Sequence, residues 1–389
     1  MFGNWGTRFF VAIFVLVLVA FTLSFSVAAV EKDDENLDWP PDIREVLLML
    51  PYGDNIIDLG EKGLQPGDVI DAYLKEYVRD DNQVRIPEGT YHLTQELSFN
   101  AANASIVGMG EVVLDRGDGH ASRILINTAG DFAVWNITLK GKGGPLHGGG
   151  INPSAIHPDA TIVIRNYKNN DGAEIGTSSG MFVGRGHAGT LFLINVEIAG
   201  FPDNGLYGSA PATSLGGGGV IHLIGGLYRN NNVTNVRVGS DNSTIRYVVS
   251  IQDDIAPYDS RTESVVQRGF WPQQAGQNLL IENCDFINKR NAAGILLAAF
   301  GGTTSGTIRN VRILNDSIRE AIRIPVGAEW QAYDVHITGS GNLNIAPGEM
   351  LDKRVFRGED ADPPREEPYN LEKIFQVPTA LELLLDKNQ

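Results

Sequence analysis

The sequence is poor in the residues that carry several common kinds of chemistry. It has a single cysteine, Cys284, so no intramolecular disulfide can form, and its place in a strand motif predicts a buried core thiol. Its seven histidines include no pair at the spacing of zinc ligands on one helix or hairpin, which disfavours a zinc site. No glycine-rich stretch is followed by Lys-Ser or Lys-Thr, so residues 141–150 and 216–219 are interpreted as loops and not as nucleotide sites.

Positive charge is also scarce. The chain carries 31 Lys and Arg against 47 Asp and Glu, which gives a formal net charge of −16 over 389 residues. An acidic surface of this kind repels polyanions, so nucleic acid is disfavoured as a partner. It favours neutral or cationic partners, together with acidic partners that are bound through cations.

Charge is absent from one long stretch near the N-terminus. Arg8 is the only charged residue among residues 1–10, and residues 9–30 form an uncharged run of 22 residues that ends at Val-Ala-Ala-Val. This pattern predicts that residues 1–29 are a Sec-type signal peptide, with an uncleaved membrane anchor as the alternative. We therefore expect export to the cell surface or the medium, and membrane contact only through this segment if it stays uncleaved.

What the sequence does contain is a repeated four-residue motif, typified by Asn-Val-Arg-Ile at residues 310–313. Its copies recur at separations of 23 to 35 residues, and apolar residues within each copy mostly lie two apart, which is the period of a strand. A repeat of this length, in which each unit covers the apolar edge of the next, predicts a solenoid of short parallel strands. The eight copies begin at Asn136, Asn166, Asn195, Gly225, Val248, Asn283, Asn310 and Asp334.

Asparagine begins five of these eight copies. Asparagine tolerates the left-handed backbone conformation that a corner between strands requires. When coils stack at ~4.8 Å, successive side-chain amides can hydrogen-bond to one another. We therefore expect an asparagine ladder whose amides point into the solenoid and satisfy one another there.

With this repeat and this ladder, residues 55–345 resemble the right-handed parallel β-helices of the pectate-lyase-like superfamily. The resemblance implies an all-β fold, a single-stranded right-handed parallel β-helix with an N-terminal capping helix and a short C-terminal tail. We divide the chain into an export segment at residues 1–29, a linker with a short helix at 30–60, the β-helix at 61–345, and an acidic, proline-rich tail with a short terminal helix at 346–389.

Three helices are predicted outside the repeat. Apolar stripes favour helices at residues 41–50, 68–79 and 379–387. In the second of these, Val69, Tyr73, Leu74 and Tyr77 are expected to face one way and to cover the open first coil, because an uncovered solenoid end exposes a sheet edge. The terminal helix is expected to cap the last coil.

A second strand follows most of the ladder positions, and its middle residue should point outward. Stacking the coils aligns these outward residues in one column. Aromatic faces stack on sugar rings, and guanidinium groups bind carboxylates or sulfates, so the column favours binding of an extended polysaccharide. The column consists of Phe182, Tyr207, Arg237, Leu296 and Arg323.

The longest interval between ladder positions contains an insertion, residues 252–274, beside the middle of this column. It carries Asp253, Asp254 and Asp259, which are candidate ligands for Ca²⁺, the one cofactor that the sequence suggests. It also carries Arg268 and the candidate substrate-binding residue Trp271. A solvated acidic loop is the alternative interpretation.

Two kinds of catalysis fit these residues to different extents. In β-elimination, Arg237, Arg268 or Arg323 would be the base, and a cation held by Asp253 and Asp254 would neutralise a uronate. Polygalacturonase-like hydrolysis needs a further set of motifs. That family has the motifs Asn-x-Asp, Asp-Asp, Gly-His-Gly and Arg-Ile-Lys in this order. The chain has Asp-Asp at residues 253–254 and Arg-Ile-Pro, in place of Arg-Ile-Lys, at residues 323–325. Its one glycine-histidine motif, at residues 185–187, precedes the aspartates, and the Asn-x-Asp motif is missing. The pectate-lyase signatures around Asp-His and Arg-x-Pro-x-x-Arg are absent as well. If the protein is an enzyme, a lyase is favoured over a hydrolase.

The sequence therefore predicts an exported β-helix protein that engages an extended extracellular polysaccharide, with cleavage by β-elimination as its enzymatic form. The competing hypothesis is a non-catalytic structural or adhesive rod of the cell envelope. A close cluster of Asp and Arg side chains on one face favours the first hypothesis, and a face without such a cluster favours the second.

Overall fold

The computed structural model describes residues 39–146, 149–290, 294–297, 303–347, 351–352 and 354–386. The chain divides into two compact units, residues 1–41 and 42–389, and the second is described below. The predicted export segment, residues 1–29, lies outside the described residues. In the described ranges, no helix is both long and apolar enough to span a membrane.

Residues 42–389 form a right-handed parallel β-solenoid of about 10 turns, so the predicted fold class is confirmed. One sheet of 15 strands runs along its length. Its strands are β1 Asn55–Asp58, β2 Asn82–His92, β4 Ala104–Asp115, β6 Phe132–Lys140, β8 Thr161–Asn169, β10 Thr190–Ala199, β12 Val220–Arg229, β14 Thr244–Arg246, β15 Val249–Gln252, β17 Leu279–Glu282, β18 Asp285–Asn288, β20 Ser305–Asn315, β22 Glu329–Thr338, β24 Leu351–Asp352 and β25 Val355–Arg357. Strands therefore extend from Asn55 to Arg357.

Two further sheets follow one another along the remaining side of the solenoid, which we call the third face. The first contains β3 Leu97–Phe99, β5 Ile124–Thr128 and β7 Ile151–Ala155. The second contains β9 Met181–Phe182, β11 Leu206–Gly208, β13 Val236–Val238, β16 Phe270–Pro272, β19 Ile295–Leu296, β21 Ile322–Ile324 and β23 Ile345–Pro347. The Gly150 N–H donates to the Gly180 carbonyl at 2.9 Å and joins the two sheets.

The 15-stranded sheet turns a corner at the ladder positions, so it supplies two faces. We call the residues before the corner the first face and those after it the second face. Each corner residue has a positive φ, between 50° and 72°. The corner residues are Asn136, Asn166, Asn195, Gly225, Tyr247, Asn283, Asn310 and Asp334. Seven of the eight predicted positions are confirmed.

The eighth predicted position, Val248, is wrong by one residue. The pairing of Leu227 with Val249, and of Val249 with Asp285, places Tyr247 in register with Gly225 and Asn283. Tyr247 adopts a φ of 59° there. Neither asparagine nor glycine marks this corner, so the motif alone favoured the more regular apolar pattern that starts at Val248.

The amides of the ladder do hydrogen-bond between coils. Asn166 Nδ2 donates to Asn136 Oδ1 at 2.9 Å, Asn195 Nδ2 donates to Asn166 Oδ1 at 3.3 Å, and Asn310 Nδ2 donates to Asn283 Oδ1 at 2.6 Å. Their predicted inward orientation is wrong, because four of these side chains are half-buried and Asn310 is exposed. The buried apolar residue that follows each asparagine fills the interior instead.

Substitutions at Asn166 separate the two roles of a ladder residue. Asn166→Gly removes the two amide bonds and keeps the left-handed conformation accessible, so we expect a loss of about 1 kcal/mol. Asn166→Ala adds the strain of a Cβ at positive φ, and should be less stable than the Gly variant by about 1 kcal/mol. Urea unfolding measures both, and equal stability of the two variants would contradict a strained corner at this residue.

Two helices precede and follow the first strand. Helix α1, Ile43–Leu48, begins at its N-cap Asp42, and helix α2, Asp71–Tyr77, follows β1. Leu74 of α2 is buried in the interior cluster of the solenoid, so α2 caps the first coil as predicted. Val69 was expected to share that buried stripe, but it is exposed because it forms a bridge with His92 outside the helix.

The prediction that the C-terminal helix caps the last coil is wrong. After a 3₁₀ turn at Gly358–Asp360, helices α3, Leu371–Phe375, and α4, Ala380–Asp386, pack on the outside of the first face of earlier coils. This occurs because the outward residues of those coils are apolar and need a cover. The buried cluster between tail and first face contains Ile43, Val46, Leu47, Val107, Ala133, Trp135, Val163, Phe192, Ile194, Ile224, Leu371, Val377, Ala380 and Leu384.

One arginine joins the elements of this cover. Arg165 is completely buried on the first face, with its guanidinium 5.0 Å from the Trp135 ring. It donates to the Leu47 carbonyl at 2.8 Å and to the Glu372 carboxylate at 3.2 Å. Burial lowers the pKa of Arg165, and Glu372 acts in the opposite direction. Helix α1, the solenoid and helix α3 therefore share one charged contact.

Candidate functional site

The outward column predicted on the third face is present. Strand register pairs Phe182 with Tyr207, Tyr207 with Arg237, and Arg237 with Trp271. Further along, the register pairs Leu296 with Arg323. Trp271 was predicted to lie in the insertion beside the column, but it lies in the column itself, because residues 270–272 of the insertion form the third-face strand of their own coil.

The side chains of the column form a continuous stack. The rings of Phe182 and Tyr207 are 5.2 Å apart and tilted by 55°. The Arg237 guanidinium lies 4.1 Å from the Tyr207 ring and 4.8 Å from the Trp271 ring. The Arg268 guanidinium lies 4.6 Å from the Trp271 ring. Aromatic and cationic groups therefore alternate along the middle of the third face.

Outward orientation does not make every member of the column accessible. Phe182 is 38 % exposed, whereas Arg237 is 9 %, Leu296 6 % and Trp271 5 % exposed. Arg323 is exposed and Tyr207 is half-buried. The surface that a ligand meets is therefore supplied by Phe182, Tyr207 and Arg323, while Trp271 and Leu296 act mainly as packing for their neighbours.

Three arginines of the third face have no acidic partner. Within the described part of the chain, Arg237, Arg268 and Arg323 form no ion pair, and the buried Nε of Arg237 has no hydrogen-bond partner. Burial lowers the pKa of Arg268 to about 10, with the positive charges of Arg237 and Arg323 contributing to the same shift. Burial also lowers the pKa of Arg237. The site concentrates positive charge on an acidic protein.

A groove of about 410 Å³ adjoins the aromatic end of the column. Asp203 is one of its lining residues, and the insertion reaches the groove through Arg261, whose guanidinium is 3.1 Å from the Asp203 carboxylate. Arg261 also binds both carboxylate oxygens of Asp259, with Nε at 2.9 and 3.0 Å from them. Burial raises the pKa of Asp203, and Arg261 opposes that shift. The lining residues are Arg123, Gly149, Asn152, Thr177, Ser178, Ser179, Phe182, Asp203, Tyr207 and Arg261.

Sequence reasoning missed Asp203, Asn152 and the role of Arg261. Asp203 precedes a third-face strand by only three residues, so its position near the column could have been read from the register of Tyr207. Arg261 belongs to the insertion, and its pairing with Asp203 depends on how the insertion folds. Contacts of that kind have no local signal.

The glycine-rich loop at residues 141–150 is held beside the groove by a buried arginine. Arg116 donates to the carbonyl of Gly141 at 2.9 Å and to that of Gly149 at 2.8 Å. The predicted loop is confirmed for the residues of this segment that the structure describes. Gly149 is thereby fixed at the edge of the groove.

The predicted metal ligands lie in different places. Asp253 accepts from Arg229 Nε at 3.0 Å and from Asn230 Nδ2 at 2.8 Å, at the end of a second-face strand. Burial alone would raise the pKa of Asp253, but these hydrogen bonds lower it overall. Asp254 is exposed next to it, whereas Asp259 pairs with Arg261. Across the described residues, no three or more His, Cys, Asp or Glu side chains are grouped so as to hold a metal ion.

His187, the histidine considered for hydrolysis, is fully buried. Its Nδ1 accepts from the Ala155 N–H at 3.1 Å, and its Nε2 lies 3.3 Å from the Val220 carbonyl. Both ring nitrogens are therefore occupied by the backbone of neighbouring coils. Two further histidines are held by neighbouring residues. His222 Nδ1 lies 3.0 Å from Thr244 Oγ1, and His336 Nδ1 accepts from the Asp362 N–H at 2.9 Å.

No protein-family model matches this sequence, and no curated protein matches it either. Among solved structures, Geobacillus virus E2 ORF18 is similar with a TM-score of 0.52 and 12% identity, over 78% of this chain and 60% of that one. The chain thus spans less than two thirds of that structure. The Azotobacter vinelandii mannuronan C-5 epimerase AlgE4 A-module is similar with a TM-score of 0.45 and 13% identity, over 78% of this chain and 100% of that one. Pectate lyase Pel9A is similar with a TM-score of 0.38 and 12% identity, over 72% of each chain. The common property is the parallel β-helix fold.

Proposed function

We propose that this protein binds an extended anionic polysaccharide along its third face. The observation that carries the proposal is the set of three guanidinium groups, on Arg237, Arg268 and Arg323, that have no carboxylate partner in the described structure. They lie on a chain with a formal net charge of −16, where acidic partners are plentiful. Unpaired cations beside an aromatic stack are suited to an anionic ligand from outside the chain.

The arrangement of the column favours a polymer over a small ion. Its outward residues come from successive coils, which stack at ~4.8 Å. Phe182 and Tyr207 offer apolar ring faces at one end, and Arg323 offers an exposed guanidinium at the other. An extended chain of sugar units can contact both ends at once, so several weak contacts add along one ligand. The partner would be an extracellular polysaccharide, in keeping with the predicted export.

Replacing Arg323 tests this proposal. Arg323→Ala should weaken binding of a uronate polymer by roughly tenfold or more, because a charge-assisted hydrogen bond contributes about 1.5–3 kcal/mol. The dependence of affinity on salt should also decrease. Arg44→Ala, which removes an exposed arginine from helix α1, is the matched control for net charge. Calorimetric titration at two salt concentrations measures both effects.

Comparison of the two variants shows which result would contradict binding at the third face. If Arg323→Ala and Arg44→Ala bind every anionic polysaccharide as well as the parent, the third face is not the binding surface. With no binding found for the parent itself, the envelope-rod hypothesis becomes the better account. Circular dichroism and thermal unfolding of each variant check that the fold is intact.

Cleavage of the same ligand by β-elimination is the second candidate function. Burial lowers the pKa of Arg268 to about 10, so this arginine can lose its proton and act as the base in its neutral guanidine form. In this step the proton α to the uronate carboxylate is removed, the glycosidic C–O bond breaks, a C=C bond forms, and the leaving oxygen takes a proton. Ultraviolet absorbance of the unsaturated product, followed in the binding samples with and without Ca²⁺, detects turnover. If Ca²⁺ serves the reaction through Asp253, Asp254 or Asp259, Asp254→Ala should remove the Ca²⁺-dependent part.

A further inference from the structure

The groove of about 410 Å³ continues the column beyond its aromatic end. Four successive coils contribute to it, through Arg123, Asn152, Phe182 and Tyr207. Strand register pairs Leu125, two residues after Arg123, with Asn152, and it pairs Phe182 with Tyr207. The Phe182 N–H donates to Asn152 Oδ1 at 3.2 Å and so joins the two middle coils. The groove and the column therefore share Phe182 and Tyr207 and lie in one line along the third face.

The path formed by the groove and the column is longer than the column alone. From Tyr207, the strand register reaches Arg323 after four coil steps. In the other direction, the groove leads from Tyr207 to the coil of Arg123 in three coil steps. Seven steps of ~4.8 Å span about 34 Å, and one sugar unit is about as long as one step. The third face therefore has room for about eight sugar units in line.

Neutral donors line the groove. Asn152 accepts from the backbone through its Oδ1, and within the described structure its Nδ2 group donates to no protein atom. Thr177 and Ser179 also line the groove and are half-buried. The hydroxyl of Ser178 is already used, because it donates to the Gly144 carbonyl at 2.9 Å. Amide and hydroxyl donors of this kind can bind the hydroxyl, ring and carboxylate oxygens of a sugar.

The most exposed charged group of the groove is the guanidinium of Arg261. Its side chain is 58 % exposed, whereas that of Asp203 is 7 % exposed. The hydrogen bonds of Arg261 to Asp203 and Asp259 use its Nε and Nη2 groups. In the part of the chain that the structure describes, Nη1 donates to no residue, so both of its N–H groups can donate to a ligand. The two aspartates therefore hold the guanidinium in place and leave one end of it open.

Resting on the proposed function, we infer that the groove is a second part of the same ligand site, and that one polysaccharide chain occupies about eight sugar subsites along both parts. Phe182 and Tyr207 stack against the sugar units where the two parts meet. Arg261 and Asn152 donate to oxygens of the units in the groove, and the three unpaired arginines of the third face bind the units at the far end. Contacts on one chain add, so a ligand that fills only one part binds more weakly than a ligand that fills both.

A series of oligogalacturonates of four, six, eight and ten units tests this inference on the full-length chain. Four units fill only one part of the site, and we expect them to bind at the end with the three unpaired arginines. Affinity should then increase at least about tenfold between four and eight units and change little between eight and ten, because further units find no subsite. Calorimetric titration at one ionic strength measures each affinity.

Ser179→Trp tests the groove separately from the column. The indole fills the groove, so this variant should bind the eight-unit ligand about as weakly as the four-unit ligand, whose affinity should not change. Thr138→Trp is the control, because it places the same side chain at a half-buried position of the second face, outside the path, and it should leave both affinities unchanged. Arg261→Gln removes the open Nη1 donors and should weaken binding of the eight-unit ligand severalfold, without affecting the four-unit ligand.

The outcomes separate this inference from the proposed function. If affinity stops increasing at four units while its dependence on Arg323 is intact, the groove is not part of the site and the proposed function stands. The same conclusion follows if Ser179→Trp binds the eight-unit ligand as tightly as the parent. If Arg323→Ala has no effect at any length, the proposed function is overturned and this inference with it. If Ser179→Trp does not fold, the length series on the parent protein still decides the inference.

Discussion

Replacing Glu372 with alanine is expected to lower the free energy of unfolding by about 3 kcal/mol, the cost of leaving a buried charge unpaired. Glu372 is the carboxylate that accepts from the fully buried Arg165 at 3.2 Å. Without it, the guanidinium keeps the Leu47 carbonyl at 2.8 Å as its hydrogen-bond partner and loses its counter-charge. Helix α3 also loses its polar link to the first face. Chemical unfolding, followed by circular dichroism, measures the change.

Two further variants show whether the charge is the cause. Glu366→Ala removes the carboxylate of the exposed pair with Lys289, which should cost no more than about 0.5 kcal/mol. Combining Arg165→Met with Glu372→Leu replaces the pair by apolar side chains and should recover most of the lost stability. A Glu372→Ala variant as stable as Glu366→Ala would contradict a structural role for the tail contact.

Acidification from pH 7 to pH 4 is expected to destabilise the protein, with about 3 kcal/mol lost at His187 alone. Burial lowers the pKa of His187 from 6.5 to about 4, and that of His222 to about 3. The unfolded chain therefore binds a proton at each of these histidines at a pH at which the folded chain binds none. The stability that the neutral form of His187 contributes is fully present above pH 6.5, and it decreases as the pH falls toward the pKa of the folded state, about 4.

His187→Gln isolates this effect. A glutamine can accept from the Ala155 N–H and donate to the Val220 carbonyl, as the neutral imidazole does, and it does not titrate. The variant should have a shallower loss of unfolding free energy between pH 6.5 and pH 4 than the parent. Parallel pH profiles of the two proteins would contradict the assignment. Burial raises the pKa of Asp203, so protonation of this carboxyl stabilises the folded chain as the pH falls. Asp203→Asn removes this contribution and should therefore steepen the loss of unfolding free energy on acidification.

The repeat by itself determined the fold and the column of the third face. In a parallel stack each residue lies directly above its counterpart in the preceding coil, so the repeat positions predict spatial neighbours without any long-range information. This is why Tyr207 and Arg237, or Leu296 and Arg323, could be placed side by side from the sequence. Where the corner residue is Tyr247, the marker of the repeat was missing and the register was predicted one residue too late.

Only the tertiary structure decided what lies between and outside the coils. The contact of Arg165 with Glu372 joins residues 207 positions apart, and no periodicity connects them. No periodicity connects Arg261 of the insertion with Asp203 of the groove either. Nor does a repeat predict that Asp253 pairs with Arg229 whereas Asp259 pairs with Arg261. Insertions and tails follow no repeat, so their charges pair with whichever partners the fold brings near. Which arginines of the third face remain unpaired is therefore a property of the folded chain.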